Sequence, residues 1–197
     1  MNGSLGLVLS GGFLRGAFQV GVIEALHARG LRFENLGSSG VQLRVGATSI
    51  RERRLRWFES WASREAFFDT LIASNYLPGV YGAPIRIDGR YYADGGFVDN
   101  VPYEAALEQG CERALVVVPD WRGRIWKRLW SRGPHEVPSS SRERLVVIHP
   151  DAPLPIGRVR ADLDGVLRCI DAGHRAAERT LAECFDRDLT RNARVER

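Results

Sequence analysis

The sequence has a single lysine, Lys127, among its 28 basic residues, so that nearly all of its positive charge is carried by arginine. The arginines are spread along the whole chain, and the formal net charge is only +4. A nucleic-acid-binding protein normally concentrates its basic residues in one patch or stripe. We therefore predict that the protein has no nucleic-acid partner.

Cysteine is also scarce, with three widely spaced residues, Cys111, Cys169 and Cys184, and no CxxC pair. This pattern excludes a disulfide framework and a zinc site of the usual spacing, and it suits a reducing compartment. The apolar segment at residues 5–9 is too short for the core of a signal peptide, and no run is long enough to span a membrane. We therefore expect a cytoplasmic protein.

Hydrophobic content of 44% over 197 residues indicates one domain, residues 1–197, with a frayed tail from about residue 187. Periodicity predicts these elements in order: a strand at 5–9, a helix at 16–29, a strand at 33–36, a hairpin pairing 41–45 with the segment around 55–57, a helix at 64–73, a hairpin around Asp88 and Gly89, a helix at 102–109, strands at 114–118 and 145–148, and a helix at 162–185. Such alternation predicts an α/β fold with a mainly parallel sheet flanked by helices.

The helix predicted at 64–73 has a cap and an apolar face that can be read directly. Ser63 precedes it and is a favourable N-cap residue. Its apolar residues are expected to form the buried face: Phe67, Phe68, Leu71 and Ile72.

A glycine turn, Ser10-Gly11-Gly12-Phe13-Leu14-Arg15-Gly16, joins the first strand to the first helix. Unpaired N–H groups at a helix N-terminus attract negative charge. A dinucleotide fingerprint requires glycine where Phe13 stands, and a P-loop requires lysine where Ala17 stands, so both phosphate motifs are excluded. The remaining interpretations are an oxyanion hole and a purely structural turn.

Two further glycine turns carry residues suited to acyl transfer. Ser38 and Ser39 lie between Gly37 and Gly40, a composition that lets a serine project from a sharp turn. Asp94 precedes Gly95 and Gly96, which allows its carboxylate to face a site. Taken separately, either segment is more often an ordinary loop.

Together these motifs resemble the patatin-like phospholipases. The resemblance rests on the glycine turn, on the segment 37–40, on Ala73-Ser74 with Pro78, and on the run from Ile87-Asp88-Gly89-Arg90 to Asp94-Gly95-Gly96-Phe97-Val98-Asp99-Asn100-Val101-Pro102. It implies a serine acyl hydrolase that acts on lipid esters without metal or cofactor. The implied nucleophile is Ser39, and the implied base is Asp94. The implied oxyanion hole consists of the N–H groups of Gly11, Gly12, Phe13 and Leu14. The resemblance assigns a supporting role to Arg15, Gly16, Gly37, Gly40, Gly95 and Gly96.

The sequence departs from this family at two places. Phe13 replaces the last glycine of the family's triplet, which weakens the implied oxyanion hole. Only 55 positions separate Ser39 from Asp94, which is much shorter than the family's usual interval and predicts an internal deletion after the nucleophile. The fold is therefore expected to be patatin-like and truncated. The alternative is a catalytically impaired or inactive member that binds lipid or membrane.

Two other interpretations stay open. Ser39, Asp94 and His149 occur in the chain order of an α/β-hydrolase triad. In the loop at residues 120–144, arginines surround apolar residues that would form one face of a short helix: Trp121, Ile125, Trp126, Leu129 and Trp130. That arrangement suits peripheral membrane contact, while the simpler interpretation is a loop folded onto its own domain.

Overall fold

The computed structural model describes residues 5–11, 13–30, 43–80, 83–157 and 160–195. Within them the strands are β1 (Leu5–Leu9), β2 (Val45–Ser49), β3 (Arg54–Phe58), β4 (Ile85–Ile87), β5 (Arg90–Asp94), β6 (Arg113–Val117) and β7 (Leu145–Ile148). The helices are α1 (Gly16–Ala28), α2 (Arg64–Ser74), α3 (Tyr103–Glu108), α4 (Ser139–Arg142) and α5 (Leu163–Val195). The strand predicted at 33–36 lies outside the described residues.

One sheet is wholly parallel, with the order β1-β6-β7. Alternate residues of β6 point to opposite faces, and the run is apolar because both faces are covered. Leu115 and Val117 pack with Phe18 and Leu26 of α1 and with α5, while Val116 packs on the other side with the segment around α3. The predicted α/β class, with helices flanking a parallel sheet, is confirmed.

The second sheet is antiparallel, with the order β3-β2-β5-β4, and consists of two hairpins. Asp88 and Gly89 both have positive φ, 48° and 77°, which is the turn type that a two-residue Asp-Gly hairpin favours. The first hairpin was predicted four residues too early, since its leading strand begins at Val45. That strand is central in the sheet, and its small residues are almost all buried, so it lacks the polar and apolar alternation used to locate it.

The helices differ from prediction in two respects. Ser63 caps α2 as expected, its hydroxyl accepting from the Ala66 N–H at 3.2 Å. The expected buried face is wrong for Phe68 and Ile72, which are 44% and 47% exposed, because the small residues Thr70 and Ala73 are the buried ones. Helix α5 continues about ten residues beyond its predicted end. None of the described helices is long and apolar enough to cross a membrane.

Helices α1 and α5 cross in close contact through two glycines. An added Cβ at Gly21 would lie 1.9 Å from the carbonyl oxygen of Ile170, and one at Gly173 would lie 2.1 Å from that of Phe18. These distances leave no space for a methyl group, and the obstacle on each side is backbone. The crossing therefore requires glycine on both helices.

We expect Gly21→Ala to lower the free energy of unfolding by at least about 1–3 kcal/mol, because the helices must separate to admit the methyl group. The measurement is urea denaturation followed by circular dichroism. Gly16→Ala is the matched control in the same helix, since a Cβ there meets nothing within 4 Å. Equal stability of the two variants would contradict the close packing of this crossing.

Candidate active site

The glycine turn follows β1 at the edge where parallel strands end. The Ser10 N–H donates to the Val117 carbonyl at 3.1 Å, which continues the pairing of β1 with β6. A short 3-10 helix, Phe13–Arg15, then leads into α1. The residue at the N-cap position of α1 is Arg15, and its side chain makes no capping hydrogen bond to the helix. The N–H groups at the start of a helix lack intrahelical partners, so this turn is suited to receive an anion.

The Gly11 N–H, expected in the oxyanion hole, has a protein partner. It donates to the carbonyl of Asn100 at 2.9 Å. An N–H group that is already bonded to a carbonyl is less available to a reacting oxygen than a free one. Phe13 and Leu14 follow at the helix start, and Gly12 lies outside the described residues.

Asp94 is the last residue of β5 and is only 8% exposed. Its Oδ1 accepts from the Gly96 N–H at 2.7 Å, its own N–H donates to the Tyr76 carbonyl at 2.8 Å, and its carbonyl accepts from the Thr48 hydroxyl at 2.8 Å. Burial raises the pKa of Asp94, and the hydrogen bond from Gly96 acts in the opposite direction. The side chain is thus fixed in place and more basic than an ordinary aspartate.

Asp94 and the glycine turn meet at Asn100. A Cβ at Gly11 would lie 2.3 Å from Asn100 Oδ1 and 3.9 Å from Asp94 Oδ1. A Cβ at Gly96 would lie 2.7 Å and 3.0 Å from the same two oxygens. A Cβ at either glycine would therefore force the Asn100 amide to move, and the Asp94 carboxylate lies within a few ångströms of the turn after β1.

A segment of the tryptophan loop closes the other side of the site. The Asn100 N–H donates to the Lys127 carbonyl at 2.7 Å, and the Asn100 side-chain amide Nδ2 donates to the Trp126 carbonyl at 3.1 Å. The Leu129 N–H donates to the Gly96 carbonyl at 2.8 Å. We call residues 126–129 the strap. It holds the Asp94 turn against the parallel sheet.

Lys127 and Asn100 are the residues that sequence reasoning did not assign to the site. Lys127 Nζ pairs with Asp99 Oδ1 at 2.9 Å, contacts Glu104 Oε2 and donates to the Val101 carbonyl at 3.2 Å. Asn100 was part of the recognised motif, but no rule based on spacing gives its role as a link. The signal in the sequence that could have identified Lys127 is that it is the single lysine in an arginine-rich chain.

Of the two interpretations of the tryptophan segment, the short helix is wrong and the loop is confirmed, since residues 121–131 form turns, bends and irregular backbone. Ile125 is buried in the core, and Trp126 is held inward by a 3.1 Å hydrogen bond from its Nε1 to Asp120 Oδ2. Trp121 and Trp130 are exposed, at 39% and 75%. The five apolar residues therefore do not share one face.

Several predicted residues cannot be placed. Gly12 and the whole segment 37–40, with Ser38 and Ser39, lie outside the described residues. His149, the third member of the alternative triad, is described: its Nδ1 lies 3.0 Å from the Pro150 carbonyl, and its own carbonyl accepts from Arg179. Its described hydrogen bonds do not include Asp94. Within the described ranges, no cluster of three His, Cys, Asp or Glu side chains is arranged to hold a metal ion.

Comparison with known proteins identifies one part of this architecture. Residues 47–107 match the model of the family described as patatin-like phospholipase. The match runs from β2 into α3 and contains Asp94, Gly95, Gly96 and Asn100, whereas the glycine turn and segment 37–40 precede it. This stretch, just under a third of the chain, is similar to the patatin-like phospholipases, which confirms the predicted resemblance there.

A curated relative is the uncharacterized protein YjjU of Escherichia coli (strain K12). It is 31% identical over 55 residues, which make up 28% of this chain and 15% of that protein. The chain thus spans only a small part of the length of the relative that it matches. The printed name of that protein states no activity.

We expect Asp94→Asn to stabilise the protein at neutral pH. A raised pKa means that the folded protein holds the proton more tightly than the unfolded chain, so stability falls as the pH rises through and above the ordinary aspartate value of 3.8. Asparagine can still accept from the Gly96 N–H and carries no charge to bury. Urea denaturation should show the gain at pH 7 and its disappearance in acid. A variant less stable than the parent at pH 7 would contradict this account.

Proposed function

We propose that the protein is a serine acyl hydrolase of lipid esters, of the phospholipase A or lipid esterase type. Ser39 is the nucleophile and Asp94 the general base of a Ser-Asp dyad. The observation that carries the proposal is the position of the buried Asp94 carboxylate beside the glycine turn at the start of α1. The patatin-like match around Asp94 supports the same chemistry.

In this mechanism Asp94 takes the proton of the Ser39 hydroxyl as its oxygen attacks the ester carbonyl. The negative charge that develops on the carbonyl oxygen is stabilised by N–H groups of Gly12, Phe13 and Leu14, since the Gly11 N–H is bonded to Asn100. The alcohol leaves, and water activated by the same carboxylate releases the fatty acid. The raised pKa of Asp94, which its burial causes, makes the carboxylate a stronger base.

An open pocket beside the strand that ends at Asp94 is a suitable site for the acyl group. It has a volume of about 360 Å³, and its lining combines apolar residues with polar and charged ones: Ile50, Pro78, Ala93, Phe97 and Val98, and Thr48, Ser49, Arg53 and Arg128. Ala93 directly precedes the proposed base, and the volume falls within the range of about 300–1,000 Å³ typical of ligand pockets. An acyl chain bound there would lie against Ala93, the residue before the proposed base.

We expect a fluorophosphonate probe to label Ser39, as mapped by mass spectrometry of the intact, folded protein. Ser39→Ala should abolish the label, and Asp94→Asn should slow labelling by about 100-fold or more, because the base is lost. Ser38→Ala is the matched control and should keep the label. Labelling should also fall in acid, as Asp94 takes up a proton.

Absence of label on folded protein, or label on Ser38, would contradict the dyad. The short interval between Ser39 and Asp94 makes this outcome informative, since β2 begins only six positions after Ser39. Absence of the label would favour the second candidate function, an inactive patatin-like protein that binds lipid or membrane surfaces.

The exposure of Trp130 favours peripheral membrane contact for either candidate. Trp130 is 75% exposed, and along the chain it stands between two exposed arginines, Arg128 and Arg132. An exposed indole with basic neighbours is suited to an anionic lipid surface. Trp121 is a second exposed indole in the same loop, while Trp126 is partly buried.

We expect Trp130→Ala to weaken co-sedimentation with anionic phospholipid vesicles by about tenfold, the loss expected for one large apolar side chain. Leu163→Ala is the matched control, because Leu163 is equally exposed at 75% and lies on α5. Ser39→Ala should leave binding unchanged. An equal loss in the Leu163 variant, or no loss in the Trp130 variant, would exclude membrane contact through this residue.

A further inference from the structure

Lys127 is the only lysine among 28 basic residues, and its side chain occupies a position that suits an ammonium group. Its Nζ lies 2.9 Å from Asp99 Oδ1, contacts Glu104 Oε2 and donates to the Val101 carbonyl at 3.2 Å. An ammonium has three N–H donors, and three acceptors converge on this one. The donors are therefore matched by acceptors in a side chain that is only 21% exposed.

An arginine would not reproduce this arrangement. A guanidinium is planar and spreads its donors over a rigid fork, whereas the acceptors around Lys127 surround a single nitrogen. The ammonium also lies 4.9 Å from the centre of the Tyr103 ring, whose face attracts a cation. In a chain where every other basic residue is arginine, this geometry gives a physical reason for lysine at one position.

The two acids of this cluster are held in their charged form by Lys127. Burial acts to raise the pKa of Glu104, but the hydrogen bond from Lys127 acts in the opposite direction, and the pKa lies below its ordinary value. Burial raises the pKa of Asp99, and Lys127 opposes that effect as well. Charge therefore binds the segment 99–104 to this side chain.

The backbone of Lys127 is tied to the same segment. Its carbonyl accepts the Asn100 N–H at 2.7 Å, while its Nζ binds the residues on either side of Asn100. Side chain and backbone thus hold the segment 99–104 at several points. This double attachment fixes residue 127 relative to the turn that carries Asp94.

Leu129, two residues further along the strap, passes this position on to the Asp94 turn. Its N–H donates to the Gly96 carbonyl at 2.8 Å. A Cβ built on Gly96 would lie 3.2 Å from Leu129 Cδ1 and 3.0 Å from Asp94 Oδ1, so the leucine side chain and the carboxylate lie on the same side of the turn. Leu129 therefore contributes to the burial of the carboxylate.

The pKa of Asp94 responds to the position of this turn. In the part of the chain that the structure describes, burial raises the pKa and the hydrogen bond from Gly96 lowers it. The segments packed against the turn carry three charged groups that pair with one another and one that is exposed: Lys127, Asp99 and Glu104, and Arg128. A strap that moves away would admit water to the carboxylate and favour its charged form.

We propose that Lys127 is a positioning residue of the candidate active site, whose ammonium fixes the strap and thereby the placement and burial of the Asp94 carboxylate. The three converging acceptors make this role specific to an ammonium. Its consequence for catalysis rests on the proposed hydrolase function, whereas its effect on the surroundings of Asp94 does not.

The first measurement is an NMR titration of the Gly96 amide, whose chemical shift reports protonation of Asp94 through the hydrogen bond that joins them. Lys127→Met and Lys127→Arg should both move the midpoint to lower pH, because the loosened strap hydrates the carboxylate. The titration uses the full chain and needs no enzymatic activity.

Two further variants keep this test interpretable. Glu104→Gln weakens one of the three acceptors at a partly exposed side chain, so it replaces Lys127→Met if that variant does not fold, and it should move the midpoint in the same direction. Arg90→Gln is the matched control, because it breaks an exposed ion pair with Glu52 of 2.8 Å at the start of the strand that ends at Asp94. Its midpoint should equal that of the parent.

The second measurement is the rate at which a fluorophosphonate labels Ser39. Lys127→Met and Lys127→Arg should slow labelling by up to about 100-fold, the loss that a displacement of about 1 Å causes. The pH at which labelling falls in acid should move with the midpoint of the Gly96 titration. A side chain that only stabilised the fold would leave that pH unchanged.

An unchanged midpoint in folded Lys127→Met, or a midpoint in Lys127→Arg equal to that of the parent, would overturn the proposal. An equal shift in Arg90→Gln would do so too, since it would show a general effect of charge. Labelling at the parent rate in variants with a shifted midpoint would overturn the role in catalysis. A shifted midpoint in a protein whose parent takes no label would reject the hydrolase and retain Lys127 as the residue that sets the surroundings of Asp94.

Discussion

The hydrogen bonds of Asn100 hold the candidate site together. Its carbonyl accepts from Gly11 after β1, its N–H donates to the Lys127 carbonyl, and its side-chain amide donates to the Trp126 carbonyl. Two segments that are far apart in sequence, the glycine turn and the strap, are thereby tied to one residue. Because a connected hydrogen-bond network is cooperative, the positions of the glycine turn, the strap and the Asp94 turn depend on one another.

The environment of Asp94 is unfavourable for stability and favourable for chemistry. A structural aspartate in a turn is normally exposed or paired with a cation, whereas the carboxylate of Asp94 is buried and accepts one hydrogen bond from Gly96. Residues whose pKa is shifted by burial cluster at functional sites. The two hairpins and the strap position this carboxylate at the cost of desolvating it, which is the arrangement expected for a general base.

Local rules predicted the elements of the fold better than their mutual arrangement. The Asp88-Gly89 hairpin, the Ser63 cap and the apolar strand β6 follow from turn chemistry, capping and hydrophobic runs, and each was found where predicted. The start of β2 was missed because a central strand of small buried residues carries no alternating pattern. The sequence left two interpretations of the tryptophan segment open, because the helical spacing of its apolar residues does not show that tertiary contacts bury Ile125 and leave Trp130 exposed. The role of Asn100 depends on contacts between distant segments, which a single sequence does not reveal.

The contact between Gly21 and Gly173 has a consequence for how the molecule acquires its structure. Helix α1 packs against a helix that begins more than a hundred residues later, and β1 has its partner at Arg113–Val117. β1 and α1 therefore cannot bury their apolar faces fully until β6 and α5 are present. Such high contact order makes folding slow, because long loops must close before the contacts form. The two antiparallel hairpins close over short loops, so they can form during translation and wait for the parallel sheet to join them.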